Sequence, residues 1–171
     1  MNYAKAIERA FGATIRQYAT GIGAKTTIRP WQSLRDDPLF RGADKDTDPY
    51  GDRWFPLIDI RTGPPTTDDH ITLVSATAIQ VGTLPTQDRD HARISDMYTG
   101  VSTVLEALRK QHITGSDGDE MTLFKATLAA DLGEDFHFGG VSFGDGAPPA
   151  DAGGYNVMTL AMNVHHSRTD Y

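Results

Sequence analysis

The chain has 171 residues and no cysteine, which suffices for one domain with a real core and leaves no disulfide framework, thiolate metal site or cysteine nucleophile. Sixteen Lys and Arg against 23 Asp and Glu give a formal charge of −7, a sign that argues against a sequence-independent grip on nucleic acid. Mean hydropathy is −0.40, and no apolar run approaches the ~20 residues of a membrane helix.

The chain opens on Met1-Asn2-Tyr3-Ala4-Lys5, which leads into an amphipathic segment rather than the apolar stretch of a signal peptide, so a soluble, unprocessed product is expected. Ile7, Phe11, Ile15 and Tyr18 lie on one stripe of a helix from about Asn2 to Tyr18, ended by Gly21 and Gly23. Lys25 to Arg29 has strand composition, and Pro30 stops it. From Pro30 to Pro56 no periodicity is visible, and a connection of about 25 residues inside a compact domain implies a job for it. It holds both tryptophans, Trp31 and Trp54, with Phe40, Tyr50 and Phe55.

Phe55 to Ile60 reads as a short strand closed by Gly63-Pro64-Pro65. Ile71 to Val81 follows, with Ile71, Leu73, Ile79 and Val81 on one face and Val74, Ala76 and Ala78 on the other. Both faces are apolar or small, which predicts a central strand covered on each side. Ile94, Met97, Tyr98, Val101, Val104, Leu105 and Leu108 define a long helix from about Asp88 to Gln111, with Asp88 and Asp90 in its first turn and Arg109 and Lys110 in its last. Glu120 to Leu132 fits a helix or a strand start equally. Phe136 to Phe143 reads as a strand interrupted at Gly139-Gly140, Gly144 to Gly154 as a loop, and Tyr155 to His165 as a half-buried strand. The order predicts one α+β domain over residues 1–171, with a mostly antiparallel sheet of four to six strands packed on two main helices.

Several short patterns suggest chemistry, and each meets a physical objection. Gly140-Val141-Ser142-Phe143-Gly144 has the form of a nucleophile elbow, and Asp145 or Asp151 with His165 or His166 completes the order serine, acid, histidine. An elbow needs a helix directly after the serine, and Asp145-Gly146-Ala147-Pro148-Pro149 cannot start one, so a Gly-rich hairpin is the better reading. Gly21 to Thr26 looks like a phosphate loop without its Gly-Lys step, its preceding strand or its following helix. Asp44, Asp46 and Asp48 match the start of an EF-hand loop, yet Pro49 and Phe55 stand where that loop needs glycine and glutamate. His70, His91, His112, His137, His165 and His166 show no helical metal spacing, and adjacent His165 and His166 face opposite sides of a strand. No catalytic, cofactor or metal residues are therefore assigned. Trp31, Phe40, Tyr50, Trp54 and Phe55 either fold back over the sheet or anchor another subunit, since aromatics are favoured where interfaces bury surface.

An N-terminal helix, a Pro-rich loop leading into Phe55–Ile60, a strand of the Ile71–Val81 type, a Pro85-Thr86-Gln87-Asp88-Arg89-Asp90 turn opening one long helix, and a closing strand over Val157–His165 together resemble the tail terminator proteins of long-tailed bacteriophages. Neck and tail-completion proteins share this patterning. The resemblance covers most of the chain and implies a non-enzymatic virion protein without cofactors. Such a protein is assembled in the host cytoplasm as a ring, usually a homohexamer. The ring caps the head-proximal end of the tail tube, stops its polymerisation and meets the neck. The implied partners are further copies of the chain, the tail tube protein and the head–tail connector proteins, with DNA passing through unbound. The family fixes no functional residue by motif, so none carries over, and the long Pro30–Pro56 loop departs from its usual compact form.

Overall fold

The computed structural model describes residues 2–31, 54–67, 72–133, 136–144 and 154–167. Helix α1 (Tyr3–Tyr18) begins at Asn2, whose side chain accepts from the Lys5 amide at 3.0 Å, and it buries the stripe of Ile7, Phe11 and Ile15. Strand β1 (Thr27–Pro30) pairs in parallel with β2 (Leu57–Thr62), and Pro30 is itself the last strand residue, a position open to proline because β1 is an edge. A two-residue strand, β3 (Thr66–Thr67), leads to β4 (Thr72–Thr83). Two helices follow, α2 (Ala92–Thr114) and α3 (Asp119–Leu132), and the chain closes with β5 (Phe138–Phe143) and β6 (Asn156–Ser167). The sheet runs β1-β2-β4-β6-β5, with β3 beside β4; every pairing except β1 with β2 is antiparallel.

This is an α+β architecture, with three helices against a six-stranded mixed sheet. The ambiguous Glu120–Leu132 segment is a full helix rather than a strand start. Met121, Phe124, Leu128 and Leu132, spaced three, four and four, are its buried residues, and Phe124 meets Phe11 of α1 edge-on at 4.9 Å. The long helix starts four residues later than its composition suggests and ends three residues later. Asp88 and Asp90 precede it, and its last turn carries His112 in place of Arg109 and Lys110. Asp88 instead caps from outside: its carboxylate accepts from the Arg93 and Ile94 amides at 2.9 and 3.0 Å and from Thr83 Oγ1 at 2.8 Å. Asn156 completes the joint, donating to Thr83 Oγ1 and the Asp88 carbonyl and pairing with His91.

The core shows where the helices sit. Ile58 stands opposite Val81, Ile60 opposite Ile79, and Val141 opposite Val164, so these side chains share one sheet face. All of them belong to the cluster that includes Ile7, Phe11, Met97, Leu105, Leu108 and Phe124 from the helices. The opposite face of β4 carries Val74, Ala76, Ala78 and Gln80, which are half-buried or exposed. Of the cover expected on each side of this central strand, the described helices supply one side. Among the described residues all three helices lie on one side of the sheet.

Two devices fix local geometry. The Glu8 carboxylate is wholly buried and accepts from the Thr62 amide at 2.7 Å, satisfying backbone where β2 ends. The register of β5 on β6 shifts between Phe138 and Gly140, at the Gly139-Gly140 interruption read in the sequence. Gly140 has φ +120°, and a Cβ there would lie 2.2 Å from the His112 ring.

Candidate functional site

The side of the sheet opposite the helices holds most residues singled out in the sequence. At its β1–β2 end, Arg29 and Asp59 are paired across the strands and point away from the helices. Arg29 Nε donates to Asp59 Oδ1 at 3.0 Å and Arg61 Nε to Asp59 Oδ2 at 2.8 Å, so one carboxylate is shared by two guanidinium groups. Arg29 and Asp59 are buried, whereas the Arg61 side chain is 34% exposed. The guanidinium of Arg29 lies 4.9 Å from the Trp54 ring and 5.1 Å from that of Trp31, and Arg61 sits 4.0 Å from Trp31.

Trp31 and Trp54 are thus drawn together by charges that the sequence did not reveal as their partners. Trp54 is fully buried. Phe55 stacks on Tyr155 at 4.3 Å and lies over Gly82, where a Cβ would meet it at 2.8 Å. Phe40 and Tyr50, grouped with these residues as interface candidates, lie outside the described residues, as do Asp44, Asp46 and Asp48.

Beyond this cluster the described strand residues of the face include no Asp, Glu, Lys or Arg. Val74, Ala76, Ala78 and Gln80 of β4 alternate with Thr159, Ala161 and Asn163 of β6, and no described helix covers them. The two sheet edges differ. β1 carries Arg29 and ends in Pro30, which discourage strand addition, whereas β5 reads Phe-Gly-Gly-Val-Ser-Phe without a charge or a proline. Phe143 at its end is 41% exposed and, with Leu160, floors a groove of about 760 Å³ along Tyr98, Ser102 and Thr103 of α2.

The serine–histidine pairing is also resolved. Ser142 Oγ lies 3.0 Å from His165 Nε2 on the uncovered face, and on the helix face Ser75 Oγ lies 3.0 Å from His166 Nε2. Consecutive histidines of β6 each engage a serine of a flanking strand, on opposite sides of the sheet. Ser142 stands inside β5, opposite Asn163, and not on a strand-to-helix turn. Asp145 and Asp151, the acids of the sequence pattern, lie outside the described residues, and no described carboxylate hydrogen-bonds His165. His137 is exposed one residue before β5, and its carbonyl accepts from the Ser167 amide. Among the described residues no three His, Asp or Glu side chains form a metal-binding group, and no helix is long and apolar enough to cross a membrane.

No protein-family model matches the chain, and no curated protein matches it in sequence.

Proposed function

We propose that the chain is a structural subunit of a ring, of the kind that terminates the tail tube of long-tailed bacteriophages or completes the adjoining neck. The observation that carries this reading is the stretch of sheet face built from Val74, Ala76, Ala78 and Ala161, small and uncharged, half-buried or exposed, and covered by none of the described helices, which all lie on the other side. A two-layer domain gains by covering such a face, and a neighbouring subunit does so without adding chain. The element order supports the same reading: the N-terminal helix α1, strand β2, strand β4, the long helix α2 and the closing strand β6 follow in the order that carries the resemblance. With only one of its two described edges, β5, open to strand addition, a copy that seats β5 on another surface of its neighbour makes a head-to-tail contact, which closes into a ring when the rotation permits. A formal charge of −7 suits a conduit that lets DNA pass without holding it. The ring, expected as a homohexamer, would join the tail tube protein on one side and connector proteins on the other, within the virion.

Light scattering tests this directly. The expected mass of the chain alone is that of several 18.6 kDa copies, and where it assembles only on tail tube protein, the added mass is that of several copies. Ala76→Lys on the uncovered face should reduce it to one copy with the circular dichroism of the folded chain. A wild-type chain that stays single in both settings overturns the reading.

The 3.0 Å contact of Ser142 with His165 favours one second reading, a serine hydrolase. A fluorophosphonate probe decides: labelling of Ser142, lost in His165→Gln, would establish a reactive serine. An unlabelled Ser142 would leave the pair a cross-strand hydrogen bond.

A further inference from the structure

His166 is fully enclosed on the helix face of the sheet. Its ring lies 4.8 Å from that of Tyr3, in the first turn of α1, and 5.4 Å from that of Phe136, just before β5; Tyr3 and Phe136 are themselves 5.9 Å apart. On the remaining side Ser75 Oγ meets Nε2, while Nδ1 is buried without a hydrogen-bond partner. The described titratable groups that face the ring are few. Helix α1 offers Tyr3, β4 the uncharged Ser75, the segment before β5 the apolar Phe136, and β6 its own neighbour His165. None is a carboxylate.

In the neutral imidazole one nitrogen bonds Ser75 and the other keeps a bare lone pair, which an aromatic box tolerates. Protonation makes both nitrogens donors and leaves the buried Nδ1–H with nothing to accept it. Burial first, and the charge of His165 second, hold the pKa of His166 below its usual value, against a weaker opposing pull from the Ser167 backbone. The strain is relieved most easily where the enclosure is weakest. The sheet side is tied by ladder bonds and by the Ser167 amide on the His137 carbonyl at 2.9 Å. Tyr3 belongs to a helix's first turn, which the Asn2 side chain caps through the Lys5 amide at 3.0 Å, and helices fray first at their ends.

We propose that the Tyr3–His166–Phe136 ring cluster is an acid-sensitive latch, in which proton uptake by His166 releases the first turn of α1 from the sheet. Nuclear magnetic resonance between pH 7.5 and 4.5 tests it by following the His166 ring and the amides of residues 3–6. Those amides should shift with the same midpoint as the ring. Tyr3→Ala should raise that midpoint by admitting water to the box. His166→Phe should abolish the transition while keeping the fold, and His165→Gln should retain it. Amides that stay still while His166 titrates, or a transition that survives His166→Phe, would overturn the latch. If His166→Phe does not fold, an unchanged His166 midpoint in Tyr3→Ala overturns it equally.

Discussion

Arg29 has no solvent exposure, and its Nε donates to the buried Asp59 Oδ1 at 3.0 Å, between two tryptophan rings. Removing Asp59 takes from a buried guanidinium, and from Arg61 beside it, the carboxylate they share. Asp59→Ala should therefore cost about 3–5 kcal/mol. The joint replacement of Arg29 and Asp59 by Met and Leu should cost much less, because neither desolvated charge remains. Urea midpoints of the three proteins check this, together with Trp fluorescence, since Trp31 and Trp54 report on the cluster.

Gly100 lies on the buried face of α2, where the helix passes over the end of α1. A Cβ there would fall 1.8 Å from the Thr20 carbonyl oxygen, which is backbone and cannot rotate aside. Gly100→Ala should destabilise the fold by at least the roughly 1–3 kcal/mol typical of an overpacked core, although alanine is intrinsically the better helix former. Thermal melting of the single variant suffices to measure it. Gly115→Ala offers a contrast: nothing lies within 4 Å of its Cβ position, and only its φ of +65° resists substitution.

Asp88 sets the acid limb of stability. Burial alone raises its pKa, but hydrogen bonds from the Arg93 amide, Thr83 and the Ile94 amide outweigh that, and the net shift is below the ordinary 3.8. A depressed carboxyl pKa contributes stability above the unfolded value and loses it as the pH falls through the folded one. Wild-type stability should thus decline below about pH 3.8 in an Asp88-dependent manner, and Asp88→Asn should flatten that part of the curve. At neutral pH, Asp88→Ala should cost about 1–2 kcal/mol as a lost cap. His166 acts in a different window. Its depressed pKa makes stability fall as the pH drops below the ordinary 6.5, well before Asp88 titrates.

Ser142 and His165 allow a milder expectation. Their bond joins an edge strand to its neighbour on a half-buried surface, so Ser142→Ala should change stability by about 1 kcal/mol or less. Exchange of the β5 amides should quicken locally in that variant, and amide hydrogen exchange reads this residue by residue.

Much of the architecture was legible from periodicity, and the exceptions have physical causes. Ile7, Phe11 and Ile15 define α1, and the stripe from Ile94 to Leu108 defines α2, because helical spacing admits one solution there. Residues 120–132 did not resolve, since Leu123 and the alanines blur the buried set of Met121, Phe124, Leu128 and Leu132. The placing of all described helices on one side of the sheet was hidden because Val74, Ala76 and Ala78 are as acceptable away from helices as beneath them. The two tryptophans stood out as aromatics in an acidic stretch, but their clasp on Arg29 depends on Asp59, thirty residues away, and on strand pairing that no local pattern encodes. Ser142 and His165 were legible as residue types. Their cross-strand geometry, with Ser142 inside a strand, was visible only once β5 and β6 were in register.

Electron microscopy of the purified chain, alone and mixed with tail tube protein, tests the ring most directly. The expected image is a closed ring of identical subunits, free in solution or seated on one end of the tubes, and lost in Ala76→Lys. Single copies in both preparations, with tube ends bare and tube lengths unchanged, would contradict it.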